Sequence, residues 1–157
     1  MSYTAEHGET SATYRPLAEA PLVDGPNWSM RFIASDDLTQ RQFGFFIREM
    51  RSRAGGPAPH FHRTFSESFY VLEGTIRFFD GDRWVEGSKG DFLYVPAGGI
   101  HAFNHDSDAD ASMVILFAPG TARENFFREA AEIRASGREL TPEEWTQFYA
   151  RHDQYMV

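Results

Sequence analysis

The sequence predicts an all-β domain, an antiparallel sandwich or barrel, followed by two short C-terminal helices. Three observations lead there. Between Trp28 and Ala118, short apolar stretches are separated by clusters of Gly, Asp, Pro and Asn. No helical period intervenes between those stretches, which argues against alternating strand–helix units. After Pro119 the apolar residues switch to helical spacing.

The first 26 residues are polar and punctuated by Pro16, Pro21, Gly25 and Pro26. They read as an arm that lies over something else or remains partly disordered, and pairing with an exposed strand edge across a homodimer is the expected use of it. Strands are expected at Met30–Ala34, Phe43–Met50, Glu67–Glu73, Thr75–Phe79, Phe92–Val95, Ala102–Phe103 and Met113–Phe117. Asp80-Gly81-Asp82, Gly87-Ser88-Lys89-Gly90 and Pro96-Ala97-Gly98-Gly99 supply the turns. Thr121-Ala122-Arg123-Glu124 has the form of a capping box, followed by Phe127, Ala130, Ala131 and Ile133 at helical spacing, with Gly137 as the stop. Thr141-Pro142-Glu143-Glu144 repeats that signature, and Trp145, Phe148 and Tyr149 form the expected buried stripe. The reading is an arm at 1–26, a barrel at 27–120 and a helical extension of the same domain at 121–157. About 35 residues cannot supply a core of their own.

Composition narrows the function. The 157 residues carry 15 Lys+Arg against 23 Asp+Glu, a net charge of −8, which argues against nucleic acid as a partner. The longest apolar run, Met113–Ala118, is far short of the ~20 residues of a membrane span. With no cysteine there is no thiolate nucleophile and no Cys-ligated metal. Absent cysteine, with no apolar leader segment, fits a cytoplasmic protein. Aromatic residues make up 15% of the chain, so a ring-rich interior is expected.

Four of the six histidines fall in the strand region. His60-Phe61-His62 places two imidazoles on one face of an extended segment and turns Phe61 to the other. Alone, such a pair is a weak signal. It is followed by Glu67 and Gly74, and later by Gly90, Pro96, Gly98 and His101.

In these positions the chain resembles the cupin superfamily. Its first motif is H-x-H, then E, then G; its second is G, then P-x-G, then H, then N. Two departures stand out. Gly55 lies one residue closer to His60 than the family's glycine does, and Asn104 follows His101 by three residues instead of four. The fourth position is His105, on the face shared by His101 and Phe103. An inward role of the family's asparagine either passes to His105 or is absent, and a solvated His105 at a strand end is the plainer reading.

The resemblance implies a cupin-type jelly-roll β-barrel in which His60, His62, Glu67 and His101 hold one divalent transition metal. Three imidazoles and one carboxylate suit Fe, Mn, Ni, Co, Cu or Zn better than calcium or magnesium. Phe69, Val71, Phe103, Phe46 and Phe117 are candidates for an apolar lining. The H-F-H motif and the tail F-A-P-G-T-A-R-E-N-F-F-R-E resemble small quercetin-dioxygenase-like cupins. That implies a dioxygenase acting on an aromatic or flavonol-like small molecule, with Glu67 as ligand and base. An acidic, aromatic chain is compatible with an uncharged aromatic substrate. Two other classes stay open: a metal-dependent polyketide cyclase or isomerase that needs no dioxygen, and a non-enzymatic small-molecule-binding cupin.

Overall fold

The computed structural model describes residues 3–157, so the first two residues of the arm lie outside it. Its strands are β1 (Leu22–Asp24), β2 (Trp28–Ala34), β3 (Gly44–Met50), β4 (His60–Phe61), β5 (Ser66–Glu73), β6 (Thr75–Phe79), β7 (Trp84–Ser88), β8 (Phe92–Val95), β9 (Ala102–Asn104), β10 (Ala111–Ala118) and β11 (Tyr155–Met156). Helices α1 (Arg123–Ala135) and α2 (Pro142–Arg151) separate β10 from β11. Among the described residues no helix is long and apolar enough to cross a membrane.

Alternation along β10 explains the layering. Ala111, Met113, Ile115 and Phe117 are buried, and the residues between them are half-buried. This strand pairs antiparallel with both β3 and β5, and the sheet reads β1-β2-β3-β10-β5-β8. A three-stranded sheet, β7-β6-β9, and the pair β11-β4 complete the jelly roll. The core between the layers is ring-rich, as expected. Phe32 and Phe46 have centroids 4.8 Å apart, Phe46 and Phe117 5.3 Å, and Phe65 and Phe117 5.7 Å. Each such side chain contributes roughly 1.5–3 kcal/mol by leaving water.

The arm does pair with a strand, and the tail departs from the sequence reading in part. Strand β1 belongs to the arm and pairs with β2 of its own chain, Val23 opposite Met30, so its edge is filled within the chain. The Thr121 capping box does not form. Helix α1 has Ala122 as its N-cap and no side-chain cap bond, because the chain leaving β10 is tied at Gly120, whose N–H donates to Arg41 O (2.9 Å). The second box does form: Thr141 Oγ1 accepts from Glu144 N–H (3.2 Å), and the Glu144 carboxylate accepts from Thr141 N–H (2.8 Å). Of the expected stripe on α2, Phe148 is buried, whereas Trp145 and Tyr149 are half-buried.

Candidate metal centre

Three chain segments meet at one point in the barrel. His60 and His62 bracket Phe61, and both rings are buried while Phe61 turns away to stack on Tyr155, 5.3 Å between centroids. His101 is brought beside them by a β-bridge: His60 N–H donates to His101 O (3.0 Å) and His101 N–H to His60 O (2.9 Å). The turn before it is fastened to the first motif, since Gly98 N–H donates to His62 O (2.6 Å). Gly98 holds φ +82°, a left-handed conformation that a side chain would strain, so glycine is needed there for backbone reasons. Glu67, near the start of β5, sits opposite Phe117 on β10 and Val95 on β8, with its side chain inward. One potential ligand atom from each of His60, His62, Glu67 and His101 lies within 4.8 Å of all the others.

The outward hydrogen bonds decide which nitrogens face inward. His60 Nδ1–H donates to Ala58 O (2.8 Å), His62 Nδ1–H to Asp153 O (2.6 Å) and His101 Nδ1–H to Gly99 O (3.0 Å). Each ring is thereby fixed in orientation with Nε2 turned toward the others, the arrangement that supports metal ligation. The Nε2 atoms of His62 and His101 lie 3.0 and 2.9 Å from Glu67 Oε2. Imidazole lone pairs facing a carboxylate oxygen require positive charge between them, from ring protons or from a cation. Three imidazoles and one carboxylate, all buried, therefore fit a divalent transition metal.

The electrostatics agree. Burial works to raise the Glu67 pKa, but the hydrogen bonds and charges of His101 and His62 outweigh it and hold the carboxyl well below its usual range. Burial, with the neighbouring charge of His101, pushes His60 down to about 3, so it stays neutral. Burial opposes protonation of His101 as well, yet the bond to Glu67 raises its pKa.

The cluster opens on a cavity of about 300 Å³. Phe69, Phe103 and Ile115 line it, as do Trp145, Phe148 and Tyr149 of α2. Phe69 and Phe103 thus take the expected lining role, whereas Phe46, Val71 and Phe117 are packed in the core. His105 is neither inward at the site nor solvated. It is 1% exposed, with its ring nitrogens 3.2 Å from Thr75 O and 2.8 Å from Ala109 O, where it pins the loop after β9.

Sequence reasoning missed the residues that reach the site from far along the chain. Asp153 supplies the carbonyl for His62, and its carboxylate accepts from Arg63 N–H, Thr64 N–H and Thr64 O–H. Arg123, at the start of α1, donates to His152 O (2.9 Å) and Gln154 Oε1 (2.5 Å) and lines the cavity. Arg48 also lines it. Only Arg48 left a signal, because Gly44, Phe46, Arg48 and Met50 alternate along β3 and an arginine stands in the inward row.

Comparison with known proteins points the same way. A family model described as Cupin domain matches residues 47–117. The quercetin 2,3-dioxygenase of Bacillus subtilis (strain 168) is 32% identical over 98 residues, which is 62% of this chain and 28% of that protein. The chain thus spans little more than a quarter of that relative's length. Among solved structures, KdgF from Halomonas sp. superposes with a TM-score of 0.61 at 18% identity, over 71% of this chain and 96% of its own. The polyketide cyclase RemF from Streptomyces resistomycificus gives 0.58 at 20% identity, over 69% and 80%. A cupin-superfamily sugar phosphate isomerase from Silicibacter pomeroyi gives 0.57 at 21%, over 68% and 75%. At these identities the structures speak to the fold.

Proposed function

Since the chain carries a cupin domain and resembles quercetinase-like proteins, we propose that it is a metal-dependent dioxygenase of a small molecule with an aromatic body. The observation that carries this is the convergence of three imidazole Nε2 atoms and one carboxylate at an aromatic-lined cavity. His60, His62, His101 and Glu67 would hold one divalent transition metal. Such an ion, when bound, supplies Lewis acidity and, if redox-active, electron exchange with dioxygen.

The chain's own residues perform the remaining tasks. The three outward Nδ1–H bonds keep the rings from rotating, so little reorganisation accompanies binding. Among the described residues Glu67 is the one carboxylate lining the cavity, which makes it the candidate acceptor for the proton of a substrate hydroxyl. Its pKa, held low by His101 and His62 against burial, keeps it ionised, with its lone pairs free to accept. Phe69, Phe103 and Ile115 offer flat apolar walls that orient a planar substrate and exclude water.

The test is oxygen uptake by the purified chain, loaded in turn with Fe, Mn, Co, Ni, Cu and Zn, on a panel of hydroxylated aromatic ketones that includes flavonols. The expected result is one metal per chain and turnover that needs both a redox-active ion and dioxygen. Equal turnover under anaerobic conditions would replace the dioxygenase reading with cyclisation or isomerisation. Metal binding without turnover of any member would leave a binding module.

A further inference from the structure

Arg48 stands where the packing calls for an apolar side chain. It lies in the inward row of β3, in register with Met30 on β2 and Met113 on β10, both fully buried, and is itself 7% exposed. No carboxylate answers it. Arg48 Nε has no hydrogen-bond partner, and the ion pairs among the described residues do not include this side chain. The charge that acts on it is that of Arg134, which repels. The rings of Trp28 and Phe103, 4.5 and 5.3 Å from its guanidinium carbon, stabilise the cation by their π faces. Ring faces do not satisfy a fork of five N–H donors. Burial pushes the guanidinium down to about 9, so it is still charged at neutral pH.

The cavity as a whole inverts the sign of the chain. Arg48, Arg123 and Arg134 line it against the single carboxylate of Glu67, in a protein of net charge −8. Arg123 spends two nitrogens on His152 O and Gln154 Oε1. Among the described residues Arg48 Nε donates to no acceptor. An unpaired buried charge is costly to keep, and a methionine would fill the position more cheaply.

We infer that the cavity recognises a substrate bearing a carboxylate, held by the Arg48 fork with Arg134 beside it. A planar carboxylate takes a guanidinium edge bidentately, and the aromatic faces of Trp28 and Phe103 accommodate a flat acid. Register places the two ends of this substrate. Glu67 sits opposite Phe117 and Arg48 opposite Met113, with the cavity-lining Ile115 between them on β10. Four residues of strand separate those levels by about 13 Å, which the reach of the two side chains shortens. The ligand is therefore an aromatic acid whose carboxylate lies at the opposite end from the group presented to Glu67. This differs from the uncharged aromatic substrate with which overall composition is compatible. Identifying the acid as the reacting substrate rests on the proposed function, whereas its binding does not.

The test is calorimetric titration of the metal-loaded chain with cinnamate, its isosteric amide cinnamamide, and phenyl phosphate. Cinnamate should bind at least about tenfold more tightly than the amide, a modest share of what a buried charge pair supplies. In Arg48→Met that preference should vanish while amide affinity and metal content hold. Arg48→Lys, which keeps charge but loses the fork, should fall between. Equal affinity for acid and amide in the wild type, or a preference that survives Arg48→Met, would overturn the inference. So would tighter binding of phenyl phosphate than of cinnamate. A fall in melting temperature for Arg48→Met with the preference intact would make Arg48 a structural cation. Oxygen uptake is read separately, in the assay of the proposed function. Neutral aromatics turned over without acid preference would sink the inference alone, and acid binding without oxygen uptake would sink the dioxygenase reading alone.

Discussion

Replacing Asp153 by asparagine tests whether the segment after α2 holds the histidine cluster in place. Asp153 has φ +52°, a left-handed conformation that asparagine adopts more readily than most residues, so Asp153→Asn removes charge without adding strain. In the wild type Oδ2 accepts from Thr64 N–H (2.8 Å) and Thr64 O–H (2.6 Å), and both oxygens share Arg63 N–H (3.1 and 3.2 Å). An amide keeps one acceptor. With its oxygen in the Oδ2 place it keeps the Thr64 pair and the 3.2 Å contact from Arg63 N–H, while its NH2 replaces Oδ1 and the 3.1 Å contact is lost. One lost contact and three that are no longer charge-assisted, at a partly exposed position, come to about 1–2 kcal/mol. For a chain of this length that lowers the melting temperature by about 2–8 °C. The second consequence falls on His62, whose Nδ1–H donates to the carbonyl of the same residue at 2.6 Å. Loosening an outer partner of this kind weakens metal binding by about tenfold at the low end. Thermal scans with and without metal, and a chelator competition, measure the two effects. Asp108→Asn is the control: it removes an exposed pair with Arg53 that solvent screens, so its melting temperature should stay close to wild type. If Asp153→Asn matches that control in melting temperature and leaves metal affinity unchanged, the segment does not position His62.

Other expectations are shorter to state. Glu67→Gln should retain most of the metal, because three imidazoles remain, while turnover falls by about 10²–10⁴ if Glu67 is the base; wild-type turnover with metal retained would leave it a structural ligand. The pair between α1 and α2 gives a pH dependence. The hydrogen bond from His152, with Arg151 assisting against partial desolvation, holds Glu129 below its ordinary 4.5. A carboxylate depressed on folding stabilises above its unfolded pKa, and that stabilisation is lost as pH falls through the lower folded value. Glu129 is 38% exposed, so solvent screening limits its worth to about 1 kcal/mol or less. Melting curves of Glu129→Gln and wild type should differ at pH 6 and converge toward pH 3; a constant difference would exclude the pair as its source.

Much of the candidate site was legible because its signals are local. Period-two alternation alone puts His60 and His62 on one face and Phe61 on the other, and the structure keeps that division. Left-handed glycines such as Gly98 mark turns wherever they occur. The second capping box was also readable, since Thr141 and Glu144 need only each other. The first failed for the opposite reason: Thr121 follows a strand end tied through Gly120 to Arg41, eighty residues earlier in the chain, and that bond sets where α1 begins. His105 failed likewise, because its partners, Thr75 and Ala109, come from different loops and strands.

By itself, then, the sequence put His60 and His62 on one face of an extended segment, and its motif resemblance named the barrel and added Glu67 and His101 to that pair. Only the tertiary structure decided what surrounds them. Asp153 reaches His62 across 91 positions of chain, and Arg48, Arg123 and Arg134 meet in one cavity from β3 and α1. Net charge could not forecast that meeting. Most of the excess carboxylates stand in water, where they are screened, while a few arginines turned inward set the potential that a ligand meets in a medium of low dielectric.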